Sequence, residues 1–206
     1  MLIFGLILSY LIGALPTGYI LTRALKGVDI RKYGSGNVGA TNVYRVVGPA
    51  AGIIVLILDI LKGAVPVVVL GDLLLAWSGG MDADIMRLGL GVAAVCGHNW
   101  PVFLRFKGGK GVATSAGVLL GLSLRLPQLG LLLGLCIGVW LLGLLVTGFV
   151  SLASILAALA LPIFALIFGQ PFKLLIVTVL LCLFVVYRHK SNISRLLKGE
   201  EKRIFR

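Results

Sequence analysis

The sequence predicts an all-α integral membrane protein, one domain over residues 1–206 that crosses the bilayer about seven times. Three observations predict this fold class. Apolar residues make up 59% of the chain and charged residues only 13%, whereas soluble domains carry roughly a quarter charged side chains. The mean hydropathy is +1.10, so the chain needs lipid as the solvent for its outer surface. Finally, the apolar residues gather into repeated runs, most of them close to the ~20 residues a spanning helix requires.

Seven segments are expected, at about 2–24, 51–70, 85–104, 112–126, 128–147, 151–168 and 171–187. The first has no basic residue ahead of its apolar run, and its first charge, Arg23, follows it. It therefore reads as a retained helix with the N terminus outside rather than as a signal peptide. The second carries Asp59 and Lys62 one helical turn apart. An intramembrane pair of this kind serves either function or mutual neutralisation, and the pair is left out of the expected site. The third leads into the sequence GHNWPVFLRFKGGKG. The fourth is short and interrupted by Thr114, Ser115 and Ser123. In the fourth and fifth, Gly117–Gly121 and Gly130–Gly134–Gly138 put small residues on single helix faces, as close helix packing requires. The three cysteines, Cys96, Cys136 and Cys182, lie inside apolar runs and read as buried thiols, with no spacing suited to zinc.

The net charge of +12 would suggest nucleic acid in a soluble protein; here the cations follow the loops instead. With the N terminus outside, fifteen of the nineteen Lys and Arg residues fall on the inner side. Arg87, Arg125 and Lys173 fall outside, and Lys62 lies within a helix. This bias predicts a cytoplasmic C terminus and cytoplasmic polar loops, with no nucleic-acid partner.

Three polar patches lie on that inner side. The first, Gly34-Ser35-Gly36-Asn37-Val38-Gly39-Ala40-Thr41-Asn42, is followed by Arg45. Its glycines let backbone N–H groups converge on an anion, and a guanidinium grips phosphate oxygens with a planar fork. The second, Lys107-Gly108-Gly109-Lys110-Gly111, departs from the nucleotide-binding P-loop because Gly, not Ser or Thr, follows Lys110 and Leu104 holds the early glycine position. Nucleoside triphosphate hydrolysis is unsupported, while a grip on a smaller phosphate fits; simple inner-side charge accounts for Lys107 without any ligand. The third patch is Tyr187-Arg188-His189-Lys190-Ser191-Asn192-Ile193. If the last helix continues straight, Arg188 and Asn192 share a face with His189 beside them. The cations at Lys198, Lys202, Arg203 and Arg206 read as anchors on anionic lipid.

These patches, GSGNVGATNVYR, GHNWPVFLRFKGGKGVATSAG and YRHKSNISRLL, resemble the signature segments of the bacterial acyl-phosphate:glycerol-3-phosphate acyltransferases, the integral-membrane PlsY type. The resemblance covers nearly the whole chain in length, helix count and loop order. It implies transfer of a fatty acyl group from acyl phosphate to the 1-hydroxyl of sn-glycerol 3-phosphate, giving 1-acylglycerol 3-phosphate (lysophosphatidic acid) and phosphate, the first step of phospholipid synthesis. It also implies no cofactor, no metal and no acyl-CoA. Carried over by residue, it places Ser35, Arg45 and Lys110 on phosphate groups, with Gly36, Asn37, Asn42, Gly108 and Gly109 lining the same loops. Arg188, His189 and Asn192 match positions that hold glycerol 3-phosphate, and Ser151 is a further candidate. A monomer in contact with membrane lipid is expected.

The residues agree with this on their own terms. His98 and His189 are not followed by Asp at the spacing of the His-x4-Asp acyltransferases, and the inner side offers as acids only Asp29, Glu200 and Glu201. No catalytic triad can be assembled, so positioning and charge stabilisation are expected to carry catalysis. Either His189 or a bound phosphate takes the hydroxyl proton. His98 is equally readable as a structural residue packed beside Trp100 and Pro101. The rival reading, a transporter of phosphorylated metabolites, is disfavoured by the odd helix count and the absence of an inverted repeat.

Overall fold

The computed structural model describes residues 1–77 and 82–204, and Arg206, expected as a lipid anchor, lies outside the described residues. Among the described residues the regular structure is helical throughout: α1 (Leu2–Ala14), α2 (Thr17–Lys26), α3 (Ala40–Val46), α4 (Pro49–Val65), α5 (Gly71–Trp77), α6 (Ala83–Asn99), α7 (Val112–Ser123), α8 (Leu129–Thr147), α9 (Val150–Ile167), α10 (Phe172–Arg188) and α11 (Lys190–Leu197). The chain forms two compact units, Met1–Arg125 and Leu126–Arg206.

Helix boundaries follow backbone chemistry. Pro16 lacks an N–H and forces Leu15 into an extended conformation, ψ 117°, so α1 and α2 are separated by a break of two residues. Gly27 ends α2 at φ 69°, its N–H donating to the Arg23 carbonyl at 3.0 Å. Pro49 opens α4 at a position where its missing donor costs nothing. Pro66 does not end the rod: a π turn over Pro66–Leu70 absorbs the lost hydrogen bond and leads directly into α5. The Asp82 carboxylate caps α6, accepting from the N–H groups of Asp84 and Ile85 at 2.9 and 3.2 Å.

Four stretches are long and apolar enough to cross a membrane: Leu2–Lys26, Pro49–Trp77, Leu129–Thr147 and Val150–Ile167. A fifth is reached if α10 and α11, bent by 57° at their junction, form one span. The expected count of seven included 85–104 and 112–126. In their place α6 has 17 residues and α7 only 12. At ~1.5 Å rise per residue, α7 extends roughly 18 Å, against ~30 Å of hydrocarbon. The chain is a multi-pass helical membrane protein in which α7 is the shortest of the expected spans. The helix flanks that carry Ile3, Leu145, Val146 and Phe172 are about three-quarters exposed, the apolar outside that lipid solvates.

In the first unit, backbones meet through glycine. A Cβ on Gly13 would strike the Ala94 carbonyl and one on Gly97 the Tyr10 carbonyl, which locks α1 onto α6. Ser9 Oγ adds a hydrogen bond of 2.5 Å to the Leu90 carbonyl. Gly63 lies on Thr114, and Gly117 on Ile60, which seats α7 against α4. The Gly117–Gly121 face is thus a packing face, as expected. The other proposed small-residue face is not: Gly134 and Gly138 have open space beside them. In the second unit Gly143 packs on Ala153, and Trp140 Nε1 donates to Ser154 Oγ at 3.1 Å, tying α8 to α9. Cys136 and Cys182 are buried free thiols and Cys96 is partly buried.

Candidate active site

The first glycine loop is shaped by one buried amide. Asn42, on α3 and 2% exposed, donates through Nδ2 to the carbonyls of Asn37 at 2.8 Å and Tyr33 at 3.0 Å. Its Oδ1 accepts from the Ser35 N–H at 2.8 Å. Gly34 and Gly36 adopt φ 60° and 72°, and a Cβ on Gly34 would strike Asn42 Oδ1. Asn37 Oδ1 accepts from the Gly39 N–H at 2.8 Å. The Asn42 amide, expected to meet substrate, is bonded to the loop's own backbone through both its oxygen and its nitrogen, and Asn37 Oδ1 is bonded to backbone as well. What the loop presents outward is Ser35 and, one turn beyond Asn42 on α3, Arg45; both are exposed. Before the loop, Asp29 caps a 3-10 turn over Ile30–Lys32 and pairs with Arg31 at 2.7 Å. The Arg31 guanidinium hydrogen bonds hold the Asp29 carboxyl down at about 2.

The second glycine loop rests on the end of α6. The Gly109 N–H donates to the His98 carbonyl at 3.0 Å. A Cβ on Gly108 would strike that carbonyl and Pro101, and one on Gly109 the His98 imidazole. Gly111, at φ 78°, is the N-cap of α7 and lies against Asn99. Glycine is required by space at all three positions. Arg105 and Phe106, at φ 52° and 61°, turn the chain into the loop. Leu104, just before them, is buried in the same cluster as Ile30, Val38 and Val43, so both glycine loops grow from one core. Lys110 is partly buried and stands one residue before the N-cap of α7, where free N–H groups and the helix dipole favour an anion.

At the other end of this unit Asp72 pairs with Arg87 at 2.6 Å and with Arg125. Arg87 and Arg125, expected on one side of the membrane, do gather at one end.

The third patch lies in the second unit. The last helix does not run straight on: α10 ends at Arg188, His189 sits at the bend, and α11 carries Asn192. The face that Arg188 and Asn192 were expected to share on a continuous helix is therefore broken. His189 is buried, with Nδ1 2.8 Å from the Val185 carbonyl. Since a carbonyl only accepts, Nδ1 carries the hydrogen in that contact and the neutral ring keeps its lone pair on Nε2. Ser151 Oγ and Asn192 Nδ2 both donate to Glu201 Oε1, at 2.7 and 2.6 Å, and Arg195 Nε donates to Oε2 at 2.6 Å. Burial raises the Glu201 carboxyl, but the Ser151, Asn192 and Arg195 hydrogen bonds outweigh it and hold the group below the usual carboxylate range. Sequence reasoning missed Glu201 and Arg195. The Ser151–Glu201 contact spans fifty residues and leaves no local spacing to read. The tail is tied back further, with Ile204 N–H on the Gly148 carbonyl at 2.9 Å and Arg203 over the Phe149 ring at 5.3 Å.

The loops of the first unit carry cations and backbone donors suited to phosphate, and the second unit carries an oriented imidazole able to take one proton. The family model described as glycerol-3-phosphate acyltransferase matches residues 3–199. Proteins named glycerol-3-phosphate acyltransferase from Desulforamulus reducens and Trichlorobacter lovleyi are 47% and 48% identical over 196 and 197 residues. Those alignments cover 95% of this chain in both cases, and 92% and 93% of the relatives. The crystal structure of PlsY (YgiH), an integral membrane glycerol 3-phosphate acyltransferase, in its glycerol 3-phosphate form superposes with a TM-score of 0.85 at 40% identity, covering 98% of this chain and 95% of that one. Its lysophosphatidic acid form superposes with a TM-score of 0.82, also at 40% identity and over 98% of this chain and 94% of that one. This chain belongs to the glycerol-3-phosphate acyltransferase family.

Proposed function

We propose that the protein transfers a fatty acyl group from acyl phosphate to the 1-hydroxyl of sn-glycerol 3-phosphate. The bond from the acyl carbon to the phosphate oxygen breaks and an ester bond to the glycerol oxygen forms. The products are 1-acylglycerol 3-phosphate and inorganic phosphate, in the first step toward phospholipid. The observation that carries this reading is the second glycine loop, whose buried turn sets Lys110 at the N terminus of α7. A small phosphate is the ligand such a turn suits. The forms in which the similar protein was crystallised support the acceptor and the product.

Ser35, Arg45 and Lys110 hold phosphate oxygens. Arg188 and His189 hold glycerol 3-phosphate, joined by Asn192 and Ser151 to the extent that Glu201 leaves their donors available. An acyl phosphate is already activated, with phosphate as a good leaving group, so attack by the hydroxyl is direct and the protein supplies position and positive charge. His189 Nε2 and the bound phosphate are the two proton acceptors in this scheme. The cation distribution orients the chain with its N terminus outside and both its C terminus and active face in the cytoplasm of a bacterial cell. The protein acts as a monomer without metal or cofactor. The transporter reading has no observation in its favour.

Purified protein given acyl phosphate and glycerol 3-phosphate should release phosphate and form the ester, with no turnover from acyl-CoA and no loss on chelation. Robust acyl-CoA activity, or a metal requirement, would overturn the donor assignment.

A further inference from the structure

Beneath the second glycine loop lies a buried charged cluster that the reaction scheme does not use. Asp59 of α4 is 2% exposed. Its Oδ1 accepts from Thr17 Oγ1 at 2.6 Å and pairs with Lys62 Nζ at 2.8 Å. Lys62, also buried, donates to the Leu15 carbonyl at 3.0 Å. His98 Nδ1 faces the same Asp59 oxygen at 3.8 Å. The opposite nitrogen of that ring, Nε2, lies where a Cβ on Gly109 would fall. Thus a carboxylate on α4, itself held by a hydroxyl on α2 and by an ammonium, faces one edge of the imidazole, and the second glycine turn lies on the other edge.

A pair needed only to neutralise itself has no reason to be built this way. Asp59 and Lys62 already satisfy each other at i and i+3, yet the carboxylate also binds Thr17 and faces His98 from elements outside α4. A buried carboxylate with fixed partners gives a ring beside it one preferred orientation, whereas an apolar wall would leave it free to turn. With the ring fixed, the Gly109 backbone has one seat, which sets where Lys110 enters α7.

We propose that Asp59 is a positioning residue for acyl transfer, acting through His98 on the Gly108–Gly109 turn and hence on Lys110. The proposal rests on the reading of that loop as the phosphate grip. Thr17 and Lys62 share the role by holding the carboxylate in place.

The test uses the full-length protein in detergent, with thermal unfolding measured beside steady-state kinetics on acyl phosphate and glycerol 3-phosphate. Replacing both charges at once, Asp59→Asn with Lys62→Met, leaves no unpaired charge in the bilayer and keeps a carboxamide of the same shape. The double variant should remain folded, lose about tenfold or more in kcat/KM, and make a further Lys110→Ala change much less damaging than in the parent, because the lysine is already misplaced. A misplacement of ~1 Å can cost about 100-fold in rate. A folded double variant with the parent's kcat and KM would overturn the proposal. Should that variant fail to fold, Thr17→Val removes one hydrogen bond to Asp59 without unpairing any charge. It should raise KM for a phosphorylated substrate about threefold or more at unchanged melting temperature, and unchanged kinetics would be equally fatal. Lys110→Ala alone separates the two ideas. If it is impaired while the Asp59 variants are normal, only the positioning role fails; if it is itself near normal, the phosphate-grip reading fails.

Discussion

As sequence, the glycine loops of the first unit and the α10–α11 corner of the other unit are alike: short, basic, rich in hydroxyls and amides. Folded, they differ in what their side chains contact. In the glycine loops the side chains of Asn37 and Asn42 bond backbone, and Ser35 and Arg45 of the first loop are exposed. At the corner, three donors meet a carboxylate of the protein's own tail, Glu201. An acid that follows the patch by a few residues in sequence can therefore fold back onto its donors. The two regions differ in how they are built: one is shaped by glycine and backbone, the other by ion pairing.

The largest effect that separates them is expected at the loops. Lys110→Ala and Arg45→Ala should each cost about 10²–10³ in kcat, or roughly 3–4 kcal/mol of transition-state stabilisation, with little change in melting temperature. Arg45→Lys should stay impaired because a point charge cannot reproduce a planar fork. Near-normal turnover in both alanine variants would remove the loops from the site.

The corner should respond through stability first. Glu201→Gln keeps an acceptor for Ser151 and Asn192 but loses the charge that Arg195 meets, at a cost of about 1–2 kcal/mol. The folded-state pKa of Glu201 lies below its unfolded value, roughly 4.3. The carboxylate thus stabilises the fold above that value, and the contribution disappears as the pH falls through the folded pKa. Unfolding measured from pH 7 down to about pH 3 should show a decline at the acid end in the parent that is reduced in the glutamine variant. Identical acid profiles would mean that the ion pair is idle.

The smallest effect is expected at Lys107, exposed two residues before Gly109. If it serves orientation alone, Lys107→Ala should change kcat/KM by less than about fivefold. A loss matching that of Lys110→Ala would enlarge the grip to both lysines.

Much of this is legible in the sequence, and the failures have definite causes. Apolar run length locates the long helices α4, α6, α8, α9 and α10, because lipid imposes that length directly, whereas the short polar helices α3 and α11 leave no such run. The Gly117–Gly121 face is readable because helical spacing is local. Gly134 and Gly138 have the same spacing but no neighbour, since spacing shows that a face is smooth but not what lies on it. Run length alone does not reveal that α7 stops after 12 residues. Asn42 reads as a ligand group because an amide in a glycine-rich loop serves substrate and backbone equally well until its burial is known. Glu201 reads only as an inner-side acid, because its contact with Ser151 spans fifty residues and those with Arg195 and Asn192 fit no helical spacing. His98, readable either as packing or as chemistry, stands directly against Gly109.

The knot of Asp72 with Arg87 and Arg125 bears on how the chain enters the membrane. In the proposed orientation this end is carried outward, against a potential that is negative inside. Each elementary charge moved that way costs about 2.3 kcal/mol per 100 mV. Two arginines bound to one carboxylate travel as a single net charge, so roughly half of that electrical work is cancelled if the contacts form before the end crosses. Asp72 would then serve as a counterion for biogenesis, with its effect felt during insertion and not during turnover.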